Sequence, residues 1–156
     1  MTPYRCVSPY DWDAILALLR AEFAYMDGVV DPPSSLNRLT EAEIAVQADR
    51  GEVWAIGTPP VACVFFTYKP DALYIGKLAV SAQHRRKGLA SALMAVAESR
   101  ARALGLGALE LQTRIELVEN HLTYLSMGFV ETGRSAHPGY DRPTSVTYRK
   151  RLSQVP

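Results

Sequence analysis

The sequence predicts an α/β layered domain, a mixed central sheet with helices on both faces. Three observations carry that prediction. Strand and helix signals alternate in the order β-α-α-β-β-β-α-β-α-β-β. A strand–helix–strand unit at Ala72–Val80, Leu89–Leu104 and Ala108–Thr113 requires a crossover that leaves its two strands parallel. The strand runs leading into that unit are joined by short proline-containing turns, which calls for an antiparallel meander.

Each element has a local reason. Tyr4–Val7 is a short strand, and Ser8-Pro9-Tyr10-Asp11 fits a helix start with Ser8 as the cap. Ile15, Leu16, Leu19 and Phe23 keep helical spacing behind it. Gly28 and Pro32-Pro33 break that helix, and Thr40-Glu41-Ala42-Glu43 is a capping box that opens a second, ending near Ala48. Glu52–Gly57 and Val61–Lys69 are rich in β-branched and aromatic residues, with Thr58-Pro59-Pro60 between them. Lys69-Pro70-Asp71 turns the chain into Ala72–Val80. Leu89, Leu93, Val96, Ala97, Arg100 and Leu104 keep a helical period until Gly105 and Gly107 stop it. Ala108–Thr113 puts Leu109 and Leu111 on one face, Glu110 and Gln112 on the other. A short helix at about Leu117–Met127 and strands near Phe129–Arg134 and Ser145–Lys150 close the chain.

Composition narrows the function classes. The 156 residues are one domain's worth of chain, residues 1–156, with 48% hydrophobic and 21% charged residues. Seventeen Lys and Arg against sixteen Asp and Glu leave no basic excess of the kind nucleic-acid binders carry. Cys6 and Cys63 lie in apolar, strand-like surroundings and read as small core hydrophobes. No apolar run spans a membrane, and MTPYRCVSPYDWD lacks a signal-peptide core, so a cytoplasmic location is expected. His84, His121 and His137 never fall at ligand spacing with Cys or with each other, so no metal site is expected.

The stretch "SAQHRRKGLASAL" at 81–93 runs positive charge through one glycine into an apolar helix. A solvated loop, a nucleic-acid contact and a seat for a phosphorylated ligand are its three readings. Free N–H groups at a helix start, with the helix dipole, make an anion site. Gly88 lacks a Cβ, so a phosphate can approach the backbone, and Arg85, Arg86 and Lys87 add charge around it. The stretch is neither a Walker A motif nor a three-glycine dinucleotide fingerprint.

"VSAQHRRKGLASAL" resembles the acetyl-CoA signature of the GNAT N-acetyltransferases, [Q/R]-x-x-G-x-[G/A], with Arg85, Gly88 and Ala90 at its fixed positions. The preceding "LYIGKLAV" looks like that family's central strand, and "YLSMGF" resembles its Y-x-x-x-G-F, with Tyr124, Gly128 and Phe129. The element order matches from end to end. The resemblance implies the GNAT (acyl-CoA N-acyltransferase) fold as a single N-acetyltransferase domain. It also implies acetyl-CoA as cosubstrate, with an amine acceptor. The pantetheine arm would lie in a gap beside the central strand, its amides on the backbone of Leu78, Ala79 and Val80. The pyrophosphate would sit on the N–H groups from Arg86 to Ser91, that is Arg86, Lys87, Gly88, Leu89, Ala90 and Ser91. One departure stands out: the family often has Asn seven residues before the tyrosine, where this chain has Leu117. Asn120 lies four before Tyr124, where it fits either a contact to coenzyme A or a cap or turn role.

Acetyl transfer to an amine needs a neutral amine, a polarised thioester carbonyl and a proton for the departing thiolate. A backbone N–H near Val80 would serve the carbonyl. Tyr124 matches the family's thiol-protonating tyrosine; the plainer reading is an aromatic packing group. Glu110 is the candidate base, with a carboxylate on a solvated or substrate-binding face as its alternative. Glu116, Tyr74 and a water chain are further candidates. Asp27 and Asp31, in the loop that borders the acceptor pocket in the family, fit either an ammonium-holding role or turn chemistry. His137, Tyr140, Asp141 and Arg142 cluster in "AHPGYDRPTS", which a polar hairpin loop explains equally well.

The sequence therefore points to an N-acetyltransferase whose acceptor is a primary amine of a small molecule or peptide. A non-catalytic acetyl-CoA-binding sensor or regulatory module is the alternative from another class. Nucleic-acid and membrane partners are not expected, and homodimerisation is left open.

Overall fold

The computed structural model describes residues 1–153. The strands are β1 (Tyr4–Arg5), β2 (Glu52–Ile56), β3 (Ala62–Tyr68), β4 (Leu73–Val80), β5 (Ala108–Arg114), β6 (Val130–Ser135) and β7 (Ser145–Arg151). The helices are α1 (Trp12–Phe23), α2 (Glu41–Arg50), α3 (Leu89–Ala103) and α4 (Val118–Ser126). Short 3-10 turns at Ala24–Met26, Ser35–Arg38 and Ala82–His84 shape the connections. The predicted order and the mixed sheet hold.

The seven strands form one sheet in the order β1-β2-β3-β4-β5-β7-β6. All neighbours are antiparallel except β4 and β5, which the α3 crossover leaves parallel. One apolar cluster joins Leu89, Leu93, Met94, Ala97 and Ala101 of α3 to Val64, Phe66, Leu73, Ile75, Leu109 and Leu111. A second joins Ile15, Leu16, Leu19 and Ile44 of α1 and α2 to Val53, Ala55, Cys63, Phe65 and Ala79. The two clusters are the two faces of the sheet, as period-2 alternation along each strand requires. Cys6 and Cys63 are both free and buried.

Local capping follows the sequence with one correction. The Thr40–Glu43 box is formed, Glu43 N–H donating to Thr40 Oγ1 at 3.2 Å and Thr40 N–H to Glu43 Oε1 at 3.1 Å. The α1 cap is Asp11, not Ser8: its carboxylate accepts from Ala14 N–H at 3.4 Å. Asp11 stands three residues before Ala14, the reach a capping side chain needs, whereas Ser8 lies before the turn has begun.

Two features of the sheet position the site. Opposite Val64, β4 carries both Lys77 and Leu78, because Cys63 pairs with Ala79 and Phe65 with Gly76. This is a β-bulge, and Lys77 takes φ 53° within it. Behind it, the fully buried Glu52 anchors β2 to α3, accepting from Trp54 Nε1, Tyr68 OH and Arg100 Nε and Nη2, each at 2.8 Å.

Candidate active site

β4 and β5 are paired at only two positions, Leu73 with Leu109 and Tyr74 with Glu110. Beyond Tyr74 the strands part. The edge of β4 that faces β5 is then unpaired from Ile75 to Val80, while its other edge stays bonded to β3. The bulge at Lys77 lies within this unpaired stretch, where a bulge bends the strand and increases its twist.

The parting opens a cavity of about 920 Å³. Its walls come from β4, the turn into α3, the C-terminal half of β5, α4, and the loop after α1. Where α3 begins, Gly88 holds φ 77° and no side chain caps the helix. The first N–H of the helix to find a carbonyl is that of Ala92, bonded to Gly88 O at 3.0 Å. Among the described residues, the backbone N–H groups of Arg86 through Ser91 have no backbone acceptor outside the helix ladder, which begins only after them. Such a start, opening into a cavity, suits an anion. Arg86 takes φ 62°, so among the described residues both non-glycine residues in the left-handed region, Lys77 and Arg86, line this cavity.

Side chains complete the site. Tyr124 projects from α4, its ring edge-on to Phe129 with centroids 6.0 Å apart. Burial pushes its phenol up to about 12, and the neighbouring Tyr25 and Tyr74 add to the effect. It is a firmly protonated donor. α4 itself is pinned by His121, whose ring nitrogens lie 2.6 Å from Tyr148 OH and 3.0 Å from the Arg114 carbonyl. His137 reaches the cavity from the β6–β7 loop. The Thr144 hydroxyl stands 2.5 Å from His137 Nδ1 and 3.4 Å from the Ser135 carbonyl, and it accepts from the His137 backbone N–H at 3.0 Å, so the ring is held by the loop it sits on. Burial and the Arg114 charge, against a contrary pull from Glu116, lower the His137 pKa and favour neutral imidazole.

The pattern of a splayed parallel pair, an uncapped helix start after a basic loop and a half-buried tyrosine agrees with the family comparison. The model of the Acetyltransferase (GNAT) family matches residues 12–129. The chain belongs to the GNAT acetyltransferase family.

Solved structures agree on this GNAT fold. A GNAT-family acetyltransferase of Staphylococcus aureus superposes with TM-score 0.75 at 11% identity, covering 97% of this chain and 99% of that one. The ribosomal-protein-S18-alanine N-acetyltransferase of Escherichia coli gives 0.67 at 19% identity, over 99% and 96%. A chain of the NatC complex bound to Gag peptide and CoA gives 0.69 at 18%, over 98% and 100%. No curated protein matches the sequence.

Most residues expected at the GNAT site line the cavity. Leu78, Ala79, Val80, Arg85, Arg86, Gly88, Leu89, Ala90, Ser91, Asn120 and Tyr124 all do. Asn120 is no helix cap, since that position in α4 belongs to Leu117. Lys87 lies outside the lining, and Arg85 turns to Glu22 at 2.9 Å, while Glu22 also accepts from Ala82 N–H. Glu110 is not brought to the cavity either: it sits at the closed end of the strand pair, ion-paired with Lys69. Tyr74 does line it, but burial and the Glu110 charge raise its pKa, which makes it a poor base. Glu116 accepts from Asp31 N–H, and Asp31 pairs with Arg142 at 2.9 Å; neither carboxylate lines the cavity. Glu22, Arg38, Lys77 and Arg114 line it too, and none of them is expected there from the sequence. Lys77 leaves a signal, a charge in the middle of the apolar run LYIGKLAV. The others leave none, because contacts across the fold bring them here.

Among the described residues no helix is long and apolar enough to cross a membrane, and no group of three or more His, Cys, Asp or Glu is placed to hold a metal ion.

Proposed function

We propose that the protein moves an acetyl group from acetyl-CoA to a primary amine of a small molecule or peptide, by direct attack in a ternary complex. One observation carries the reading: an unpaired strand edge, an uncapped helix start and a protonated tyrosine share one cavity. The fit to the cofactor is chemical. Pantetheine amides can continue the hydrogen bonding of β4 at Leu78, Ala79 and Val80, and the pyrophosphate suits the N–H groups of residues 86–91. The named CoA ligand of the NatC neighbour supports the same assignment.

Bound acetyl-CoA supplies the thioester; the chain supplies position and proton handling. The free N–H groups near Val80 are donors for the carbonyl oxygen. Tyr124 holds a donor where the thiolate leaves. Since its pKa is raised, its contribution is a hydrogen bond to the developing thiolate more than full proton transfer. Among the described residues Glu22 is the single acidic side chain on the lining, and it is held by Arg85, so the lining offers the amine proton no unpaired carboxylate. His137, whose ring lines the cavity and is favoured in its neutral form, is the candidate acceptor in place of Glu110. The reading keeps a cytoplasmic location and no nucleic-acid partner as expectations.

Thiol release from acetyl-CoA, followed with a panel of primary amines, tests the reading. Saturable release that depends on the amine supports it. Tight acetyl-CoA binding with no amine-dependent release supports a sensor or regulatory module instead.

A further inference from the structure

The cavity carries more positive charge than its helix start requires. Among the described residues, Arg38, Lys77, Arg85, Arg86 and Arg114 line it against the single carboxylate of Glu22, which is already paired with Arg85. Arg85 and Arg86 belong to the phosphate turn. The other three form a second group.

That group joins Lys77 of β4 and Arg114 of β5 to Arg38 of the loop after α1. Arg114 donates to the Pro32 carbonyl at 2.6 Å and the Pro33 carbonyl at 3.3 Å, so it holds the loop while keeping its charge. Arg38 ends the 3-10 turn next along the chain. Lys77 lies close enough to Arg114 for that charge, after burial, to lower its pKa. Among the described residues, none of the three makes an ion pair. Lys77 and Arg114 are partly buried, and like charges so placed without a counter-ion are costly unless something anionic completes them; the exposed Arg38 adds its charge at the rim.

Resting on the transferase reading above, we infer that the acceptor amine also bears an anionic group, a carboxylate or phosphate, received by Lys77, Arg38 and Arg114. Ser34 and Ser35 on the same loop add hydroxyls to the wall. The arrangement also serves the reaction, because nearby cations favour the neutral form of the amine, which is the nucleophile. A polycationic acceptor would meet repulsion here. The residues expected to hold an ammonium do not line the cavity: Asp27 lies outside it, and Asp31 is spent on Tyr140 and Arg142.

The test measures binding to CoA-saturated protein by calorimetry, with amines paired so that only the anion differs. One series sets amino acids against their carboxamides; the other sets phosphoethanolamine against ethanolamine. The anionic members should bind at least ~10-fold tighter in one series, and that series names the anion. Lys77→Met and the exposed Arg38→Gln should each shrink the ratio several-fold, Lys77→Arg should retain it, and CoA affinity should change little. Equal or weaker binding of the anionic members, or no saturable binding in either series, overturns the inference. So does an equal loss of CoA affinity in Lys77→Met and Arg38→Gln, which would assign these charges to the cofactor. Thiol release with the neutral and anionic pairs separates the two claims: efficient transfer to neutral amines keeps the transferase reading and sinks the anion.

Discussion

Tyr74 and Glu110 are the last partners that β4 and β5 share. One residue further the strands separate, and β4 runs on to Val80 with no neighbour along that edge. Glu110, at the closed end, is held by Lys69, whose Nζ also stands 4.7 Å from the Tyr74 ring centre. The pair marks where structure ends and the cavity begins.

Because Glu110 stays on the structural side of that boundary, Glu110→Gln should lower kcat by less than ~10-fold. A general base would cost ~10²–10⁴-fold. Steady-state rates for Glu110→Gln beside His137→Gln decide between them, with the larger loss expected in the histidine variant.

Gly88 offers a separate handle. A Cβ there meets nothing within 4 Å, so the fold has room, but φ 77° strains any other residue by roughly 1 kcal/mol. Gly88→Trp should keep its circular dichroism and lose ~100-fold or more in CoA affinity, a ring competing with phosphate for the helix start. Unchanged affinity in the folded variant would remove the phosphate from this turn.

Tyr124→Phe preserves ring packing against Phe129 and removes the donor. We expect kcat to fall by ~10²-fold or more with acetyl-CoA affinity nearly unchanged. A wild-type rate, with chemistry shown to be limiting, would reduce Tyr124 to packing.

The Glu52 network sets acid stability. Burial alone would raise the carboxyl pKa, but hydrogen bonds from Arg100, Trp54 and Tyr68, with the Arg5 charge, hold it at about 2, below the ordinary 4.5. Between those values the unfolded chain binds a proton that the folded chain refuses. Its contribution, on the order of 3 kcal/mol, is therefore complete above pH 4.5 and fades as pH falls towards 2. Arg100→Met should cost about 3 kcal/mol at pH 7 in urea unfolding, and less at pH 3, where Glu52 can take a proton. An equal loss at both values would mean the pair does not act through charge.

Much of the fold is legible in the chain. Apolar periodicity fixes the elements, since Leu89, Leu93 and Ala97 face the sheet as a helical stripe must. The glycine after Arg85-Arg86-Lys87 announces the helix start. Two things are hidden. Glu110 looks available because alternation gives the face of a residue but not its ion pair across the turn at Lys69. The bulge is hidden too, since nothing local marks Lys77 for a positive φ. The second basic group depends on contacts between residues 82 and 81 positions apart, Arg114 with Pro32 and Pro33, and periodicity has no view of those.

The central claim is that this cavity passes an acetyl group directly from acetyl-CoA to an amine. Acetyl-CoA labelled in its acetyl group, incubated with the protein and then with a panel of amines, tests it by mass spectrometry of both protein and small molecules. The expected result is label on an amine, dependent on protein, with the protein's own mass unchanged throughout. Label that stays on coenzyme A with every amine, or that appears on the protein before the amine is added, would contradict direct transfer.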